Sequence, residues 1–485
     1  MAPPGLPPDR SPASAADARR KWYVLASVST GAFLATVMAT SINVATPTLV
    51  RVFATDFAVV QWVVLAYLMV STTLLLSIGR LADMLGKKPL FVAGFVIFTL
   101  GSLLCPLSPT VYWLIGFRVV QGLGAALLTA LSLAIVTETF PDEERGKAIG
   151  VSGSILSSGI VIGPTLGGFL VDALSWQWVF LVNVPIGVLG TLAALRFIPA
   201  SPARGGQRFD LAGAALLFVS LIAALLALTL GQQEGFGSPR VLGLFSLGIL
   251  SGGLFIVTEA KVPEPMLELT LFRNTLLSIG LVTGLATFVA ISGTIFLMPF
   301  YLEGVLGYPP RQVGVLMAIV PVVLVVIAPI SGALSDRFGS RLITVLGLAL
   351  ILSGYLAVGT LDEETTALGY VLRFLPLGLG MGTFQAPNNS AIMGAVPKAY
   401  LGVAGGLLTM TRTFGATAGI AALGALWATR VALRAAQEGG PSASAAAQVA
   451  GLQDMFVAVQ VMILLALLLS LWGLLAERRT PSTSA

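Results

Sequence analysis

Histidine is absent from this chain, cysteine occurs once (Cys105), and only 10% of the 485 residues are charged. Each shortage excludes something. With no histidine and one cysteine, the usual zinc and transition-metal ligand sets cannot be assembled, and no intrachain disulfide can form. No side chain has an ordinary pKa near neutrality. There is no GxxxxGK[ST] phosphate loop and no visible nucleophile–base pair. No metal, cofactor or nucleic-acid partner is expected, and an enzyme is not expected either. A soluble domain carries about 25% charged residues. A chain that is 56% hydrophobic, with mean hydropathy +0.93, has too much hydrocarbon for one water-soluble core, so the bilayer is its solvent.

What is present is a series of fourteen apolar segments, at roughly 22–47, 58–80, 89–107, 111–137, 147–171, 177–198, 210–230, 240–259, 275–302, 311–333, 341–360, 366–392, 400–428 and 456–476. Each can cross about 30 Å of hydrocarbon at about 1.5 Å per helical residue. Residues 1–21 are Pro/Ala-rich with Arg10, Arg19 and Arg20, and they are read as a disordered tail. They do not form a signal peptide, because the apolar run that follows is too long. Nineteen of the 27 Lys/Arg fall at the end of the spans that carries both termini, and five (Arg51, Arg240, Arg311, Arg430, Arg434) fall at the opposite end. Three, Arg118, Arg373 and Arg412, fall inside spans. The positive-inside rule then puts both termini in the cytoplasm of a multi-pass cell-membrane protein.

The chain repeats itself. GRLADMLG (79–86) and GALSDRFG (332–339) share Gly, Leu, Asp and Gly at equal spacing, 253 residues apart. RVVQGLG (118–124) is echoed, one residue out of step, by RFLPLGLG (373–380). The offset divides the chain into a six-helix bundle (22–200), two extra helices (209–262), a second six-helix bundle (274–476) and a short tail (477–485). The expected fold is an all-α integral membrane protein with fourteen transmembrane helices and pseudo-two-fold symmetry. Repeats of this kind put a substrate site between the halves near mid-membrane.

Four stretches carry a resemblance. GRLADMLGKK (79–88) resembles the loop motif between helices 2 and 3 of the major facilitator superfamily, and LIGFRVVQGLGAA (114–126) resembles its helix-4 motif. GIVIGPTLGG (159–168) resembles the helix-5 motif of its antiporters. WQWVFLVNVPIG (176–187) is similar to the helix-6 entry of the 14-helix drug:proton antiporter branch. The resemblance implies two bundles rocking around a central cavity and export of small hydrophobic or lipid-like compounds by a monomer. It further implies that Asp83, with Lys87, latches the basic end, that Asp336 and Arg337 repeat that latch, and that Arg118 is tied to proton transfer.

The residues themselves suggest further roles. Gly159, Gly163 and Gly167 are spaced by four and permit close helix contact, and Pro164 interrupts the hydrogen-bond ladder and bends the helix. An arginine near mid-membrane costs about 2.5–3.5 kcal/mol on insertion scales. Arg118 therefore needs acceptors, with Gln121 a candidate, and the same reasoning extends to Arg373 and Arg412. Thr36, Thr40 and Asn43 share one face of the first span and are placed on a cavity wall. Amides inside spans face the bundle interior, so Gln61, Gln385, Asn388 and Asn389 either bond between helices or line the cavity. Tyr67, Phe288 and Trp62 are candidate stacking surfaces. The 22 Asp/Glu lie in loops or near helix ends, with Glu138, Asp172 and Glu303 the nearest to the membrane interior. The antiporter branch usually carries Asp five residues before the asparagine that Asn43 matches, where this chain has Met38. Proton antiport through a peripheral acid and transport not driven by protons, including lipid movement, both remain open at this point.

Overall fold

Runs of Leu, Val, Ile and Ala this long satisfy every backbone group within lipid only as helices, and helices are what form. A computed structural model describes residues 15–200, 211–261, 269–397, 401–438 and 444–479. Among them fourteen helices are long and apolar enough to cross a membrane. In chain order these are α1 (Ala15–Val52), α2 (Phe57–Leu85), α3 (Lys87–Leu104), α4 (Val111–Thr139), α5 (Asp142–Ala173) and α6 (Trp178–Leu181 with Asn183–Phe197). α7 (Leu211–Glu234) and α8 (Pro239–Glu259) follow. The remainder are α9 (Thr275–Pro299), α10 (Pro310–Met317 with Ile319–Phe338), α11 (Ser340–Val358), α12 (Ala367–Gly394), α13 (Leu401–Glu438) and α14 (Ala445–Arg479). Phe300–Val305 prolongs α9 as a π-helical turn.

The expected repeat is visible in the packing. In the N-terminal half α1 lies along α5, α2 along α4, and α3 along α4 and α6. In the C-terminal half α9 lies along α13, α10 along α12, and α11 along α12 and α14. Every pairing is reproduced eight helices later. α7 and α8 pack on each other, and α7 reaches both α2 and α13. The matching loop motifs end in matching backbones, with Gly86 at φ 87°, ψ 147° and Gly339 at φ 87°, ψ 139°. Each glycine N–H caps the preceding helix, at 2.9 Å from Ala82 O and Ser335 O respectively. Positive φ at these corners is why glycine recurs there.

Several boundaries differ from expectation. α13 runs to Glu438, ten residues past the expected span 400–428, and α14 runs from Ala445, eleven residues before the expected 456, to Arg479, inside the expected tail 477–485. α1 begins at Ala15, inside the stretch expected to be a tail. Lys21 Nζ donates to Glu144 Oε2 at 2.5 Å, which ties the start of α1 to α5, and Trp22 meets Phe140 edge-on at 5.5 Å. Residues 1–14 and 480–485 of the expected tails lie outside the described residues.

Candidate functional site

Arg118 is fully buried inside the N-terminal bundle. Its Nε donates to Val63 O at 2.8 Å and its Nη1 to Gln121 Oε1 at 2.6 Å. Gln121 in turn donates to Ser102 Oγ at 2.8 Å. The guanidinium lies 4.2 Å from the Tyr67 ring centroid and 5.9 Å from that of Phe180. Hydrogen bonds to a charged group contribute about 1.5–3 kcal/mol each, and a desolvated cation–π contact about 2 kcal/mol. Together these offset the insertion cost without any carboxylate. Arg118 Nη2 has no partner among the described residues. Tyr67 is held by its hydroxyl donating to Ala35 O at 2.8 Å. Met38, one turn further along α1, is fully buried, and Asn183 Nδ2 lies 3.5 Å from its Sδ. Met38 and Tyr67 therefore belong to the closed interior of the N-terminal bundle, and neither lines an opening in this conformation.

The two halves meet at the end opposite the termini. Arg51, at the close of α1, pairs with Glu303 in the π turn, and the Glu303 side chain is only 6% exposed. Among the described residues this is the only ion pair between the halves. Gln61 Nε2 of α2 donates to Ile420 O of α13 at 2.5 Å. Phe57 of α2 sits among Phe300, Trp427 and Phe296, at centroid distances of 4.9, 4.9 and 5.6 Å. On the other flank α5 meets α10. A Cβ at Gly168 would fall 3.1 Å from Gly314 Cα, and one at Gly314 would fall 3.1 Å from Pro164 C. Thr165 Oγ1 donates to Gly314 O at 3.4 Å.

The same helix faces are open toward the basic end. Gly150 stands 18 residues before Gly168, five turns of helix, and so lies on the same line of α5. A Cβ at Gly150 or at nearby Gly153 would meet nothing within 4 Å. On α13, Thr409 lies eleven residues before Ile420, about three turns, and is exposed, while a Cβ at Gly405 would again meet nothing. The ion pairs described at this end, Lys21–Glu144 and Lys87–Glu138, stay within one half. The halves form a wedge, shut at the far end and open at the basic end.

The other expected residues are distributed as follows. Thr40 Oγ1 bonds to Thr36 O at 3.0 Å and faces the α5 glycines, where a Cβ at Gly163 would fall 2.9 Å from Thr40 Cβ. Gly167 packs against Ser41 and Gly159 against Phe33. Thr36 and Thr40 thus make a helix contact with α5, and both stay partly exposed beside it. Small residues take both sides, as close approach requires. Asn43 is buried, with Oδ1 unpartnered among the described residues. α5 runs on through Pro164 as one helix. Asn388 Nδ2 donates to Gly280 O at 3.1 Å, a bond between α12 and α9. Gln385 and Asn389, one turn apart, are partly buried. Trp62 packs against the core.

Arg373 lies six residues into α12, inside the span. Its Nε donates to Thr360 Oγ1 at 2.9 Å, beside the α11–α12 turn, and its Nη1 to Gly369 O at 3.2 Å. Glu138 is exposed and is the partner of Lys87, and Asp172 is also exposed. Asp336 and Arg337 are exposed, with Arg337 over the Phe338 ring at 5.3 Å. The Asp83 side chain lies outside the described residues. Arg412 is partly buried and stands 5.2 Å from the Phe288 ring centroid. Sequence reasoning missed the seam partners Arg51, Ile420 and Gly314. The 18-residue separation of Gly150 and Gly168 in α5, five helical turns, was the one signal that could have suggested a shared face.

Residues 28–420 match the family described as the Major Facilitator Superfamily. The riboflavin transporter RibZ of Clostridioides difficile is 34% identical over 405 residues, covering 83% of this chain and 87% of RibZ. The multidrug resistance protein Stp of Mycobacterium tuberculosis is 34% identical over 412 residues, covering 84% of this chain and 76% of Stp. Among solved structures, a bacterial homologue of the human lysosomal transporter Spinster aligns with a TM-score of 0.67 at 17% identity, covering 93% of this chain and 96% of that one.

Proposed function

The chain belongs to the major facilitator superfamily, and from that premise we propose that it exports small hydrophobic or amphipathic compounds by alternating access. The wedge carries the reading: one line of α5 is packed at Gly168 and open at Gly150. The basic end is taken as cytoplasmic by the positive-inside rule, so cargo enters from the inner side and the seam at Arg51–Glu303 must part for release. The named relatives support this cargo class, one as a multidrug resistance protein and one as a riboflavin transporter.

For the driving force, the reading without an intramembrane proton carrier is favoured. Met38 stands buried against Asn183, in the position where the antiporter branch keeps its acid. Glu138 is committed to Lys87 and Glu303 to Arg51, and Asp172 is exposed at a helix end. The test is dye efflux from proteoliposomes of purified protein, with and without an imposed pH gradient. Protein-dependent movement that changes by no more than about twofold, roughly 0.4 kcal/mol, is expected. Strict dependence on the gradient would overturn the uncoupled reading. No movement of any hydrophobic dye would overturn the exporter. Met38→Asp sets a titrating acid within the Arg118 cluster and is expected to confer gradient dependence. An unchanged profile in a folded variant would count against that position as the site of coupling.

A further inference from the structure

Arg412 lies eleven residues into α13, about 16 Å along it at about 1.5 Å per residue, which is mid-membrane depth. Gly405, Thr409, Arg412 and Ala416 follow each other at spacings of four, three and four, and so form one stripe of the helix. The two residues of that stripe nearer the basic end are open: nothing would touch a Cβ at Gly405, and Thr409 is exposed. The neighbouring faces are taken. Gly415 and Gly419 pack on Phe288 and Val289 of α9, while Met410 and Phe414 pack on the cluster formed by Leu217, Leu221 and Phe255 of α7 and α8. The stripe bearing Arg412 therefore looks into the wedge.

What separates Arg412 from the other arginines within spans is its lack of acceptors. Arg118 is bonded to Val63 O and Gln121, and Arg373 to Thr360 and Gly369. For Arg412 the one described contact is the Phe288 ring at 5.2 Å. No hydrogen bond or ion pair reaches it among the described residues. A guanidinium has five N–H donors in a planar fork suited to two acceptor oxygens at once. In a partly dehydrated site the attraction to an anion is stronger than in bulk water. The ring beside it offers a flat apolar surface for the body of the same ligand.

We propose that Arg412 and Phe288 form a cargo subsite for amphipathic organic acids, in which the guanidinium takes a carboxylate or phosphate and the ring takes the adjoining apolar body. This deepens the exporter reading and rests on it for the location of the pathway. The acid can come from a soluble compound or from a lipid headgroup, and the probes separate the two.

The test measures equilibrium binding to the full-length chain in detergent. The probes are a xanthene dye carrying one carboxylate, its methyl ester, and a short-chain fluorescent phosphatidic acid. Arg412→Gln is expected to weaken the carboxylate dye roughly tenfold, on the scale of one charge-assisted bidentate pair, and to leave the ester within about twofold. Arg412→Lys keeps the charge and loses the fork, so its loss is smaller, about threefold. If Arg412→Gln does not fold, the Lys variant decides alone: acid weakened and ester unchanged supports the subsite, equal effects on both refute it. Weakened phosphatidic acid with an unaffected dye assigns the subsite to lipid. Equal effects of Arg412→Gln on acid and ester overturn the proposal. Failure of every dye to move in liposomes, with Arg412-dependent acid binding intact, refutes the exporter and not the subsite. Dye transport that is indifferent to Arg412 for acid and ester alike refutes the subsite and not the exporter.

Discussion

The two ends of α5 are both rich in glycine and have opposite surroundings. Gly167 and Gly168 are pressed between Ser41 on α1 and Pro310–Gly314 on α10, whereas Gly150 and Gly153 have nothing within reach of a Cβ. Glycine content alone therefore does not mark a contact. What distinguishes the ends is whether the partner helix has converged, and convergence is set by residues far away in sequence. α13 teaches the same. Its far half gives Ile420 O to Gln61 and packs Trp427 on Phe57, while its near half exposes Thr409.

The largest expected effect contrasts Gly168→Val with Gly150→Val. The first drives carbons into the α10 backbone, and overpacking of this kind costs about 1–3 kcal/mol or more. The far end can then no longer shut, and transport is expected to fall at least about tenfold. Gly150→Val should transport within about twofold of the parent chain, since its only cost is local. Equal losses in both would erase the difference between the ends. Glu303→Gln comes next. It removes the ion pair to a largely exposed Arg51, so the shift toward an open far end is about 1 kcal/mol, near the upper range for such pairs. Distances between spin labels across the seam read that shift directly, and the buried Cys105 can be replaced first to leave only the introduced labels. Gln61→Leu is the smallest. It gives up the neutral bond to Ile420 O, about 0.5 kcal/mol at the low end for such bonds, which the same labels should record as a partial opening of the α2–α13 flank. An opening larger than that of Glu303→Gln would make the amide, and not the ion pair, the main fastener.

Much of the fold was legible because hydrocarbon thickness imposes helix length. Fourteen apolar runs became fourteen spans, and the 253-residue echo of Gly79–Gly86 in Gly332–Gly339 became two corners with the same backbone angles. The site was less legible. Helical spacing puts Thr36, Thr40 and Asn43 on one face but says nothing of which neighbour that face meets, and Thr40 turned out to meet the glycines of α5. Arg118 was expected to need acceptors and found Gln121, with Val63 O as the second. Arg373 stands six residues into α12 and likewise found acceptors, in Thr360 Oγ1 and Gly369 O, which helical spacing alone does not name. Arg51 and Glu303 are 252 positions apart, and no local pattern announces a pairing at that range.

The most direct test of the wedge is accessibility of paired cysteines on a Cys105-free background. Gly153→Cys reports the basic end and Gln61→Cys, at a fully buried position of the seam, the far end, each labelled by a membrane-impermeant maleimide from either side of oriented vesicles. The account predicts rapid labelling of position 153 from the side bearing the termini and slow labelling of position 61 from the opposite side, with Glu303→Gln raising the second rate. Rapid labelling at 61 and protection at 153 with Glu303 intact would contradict it.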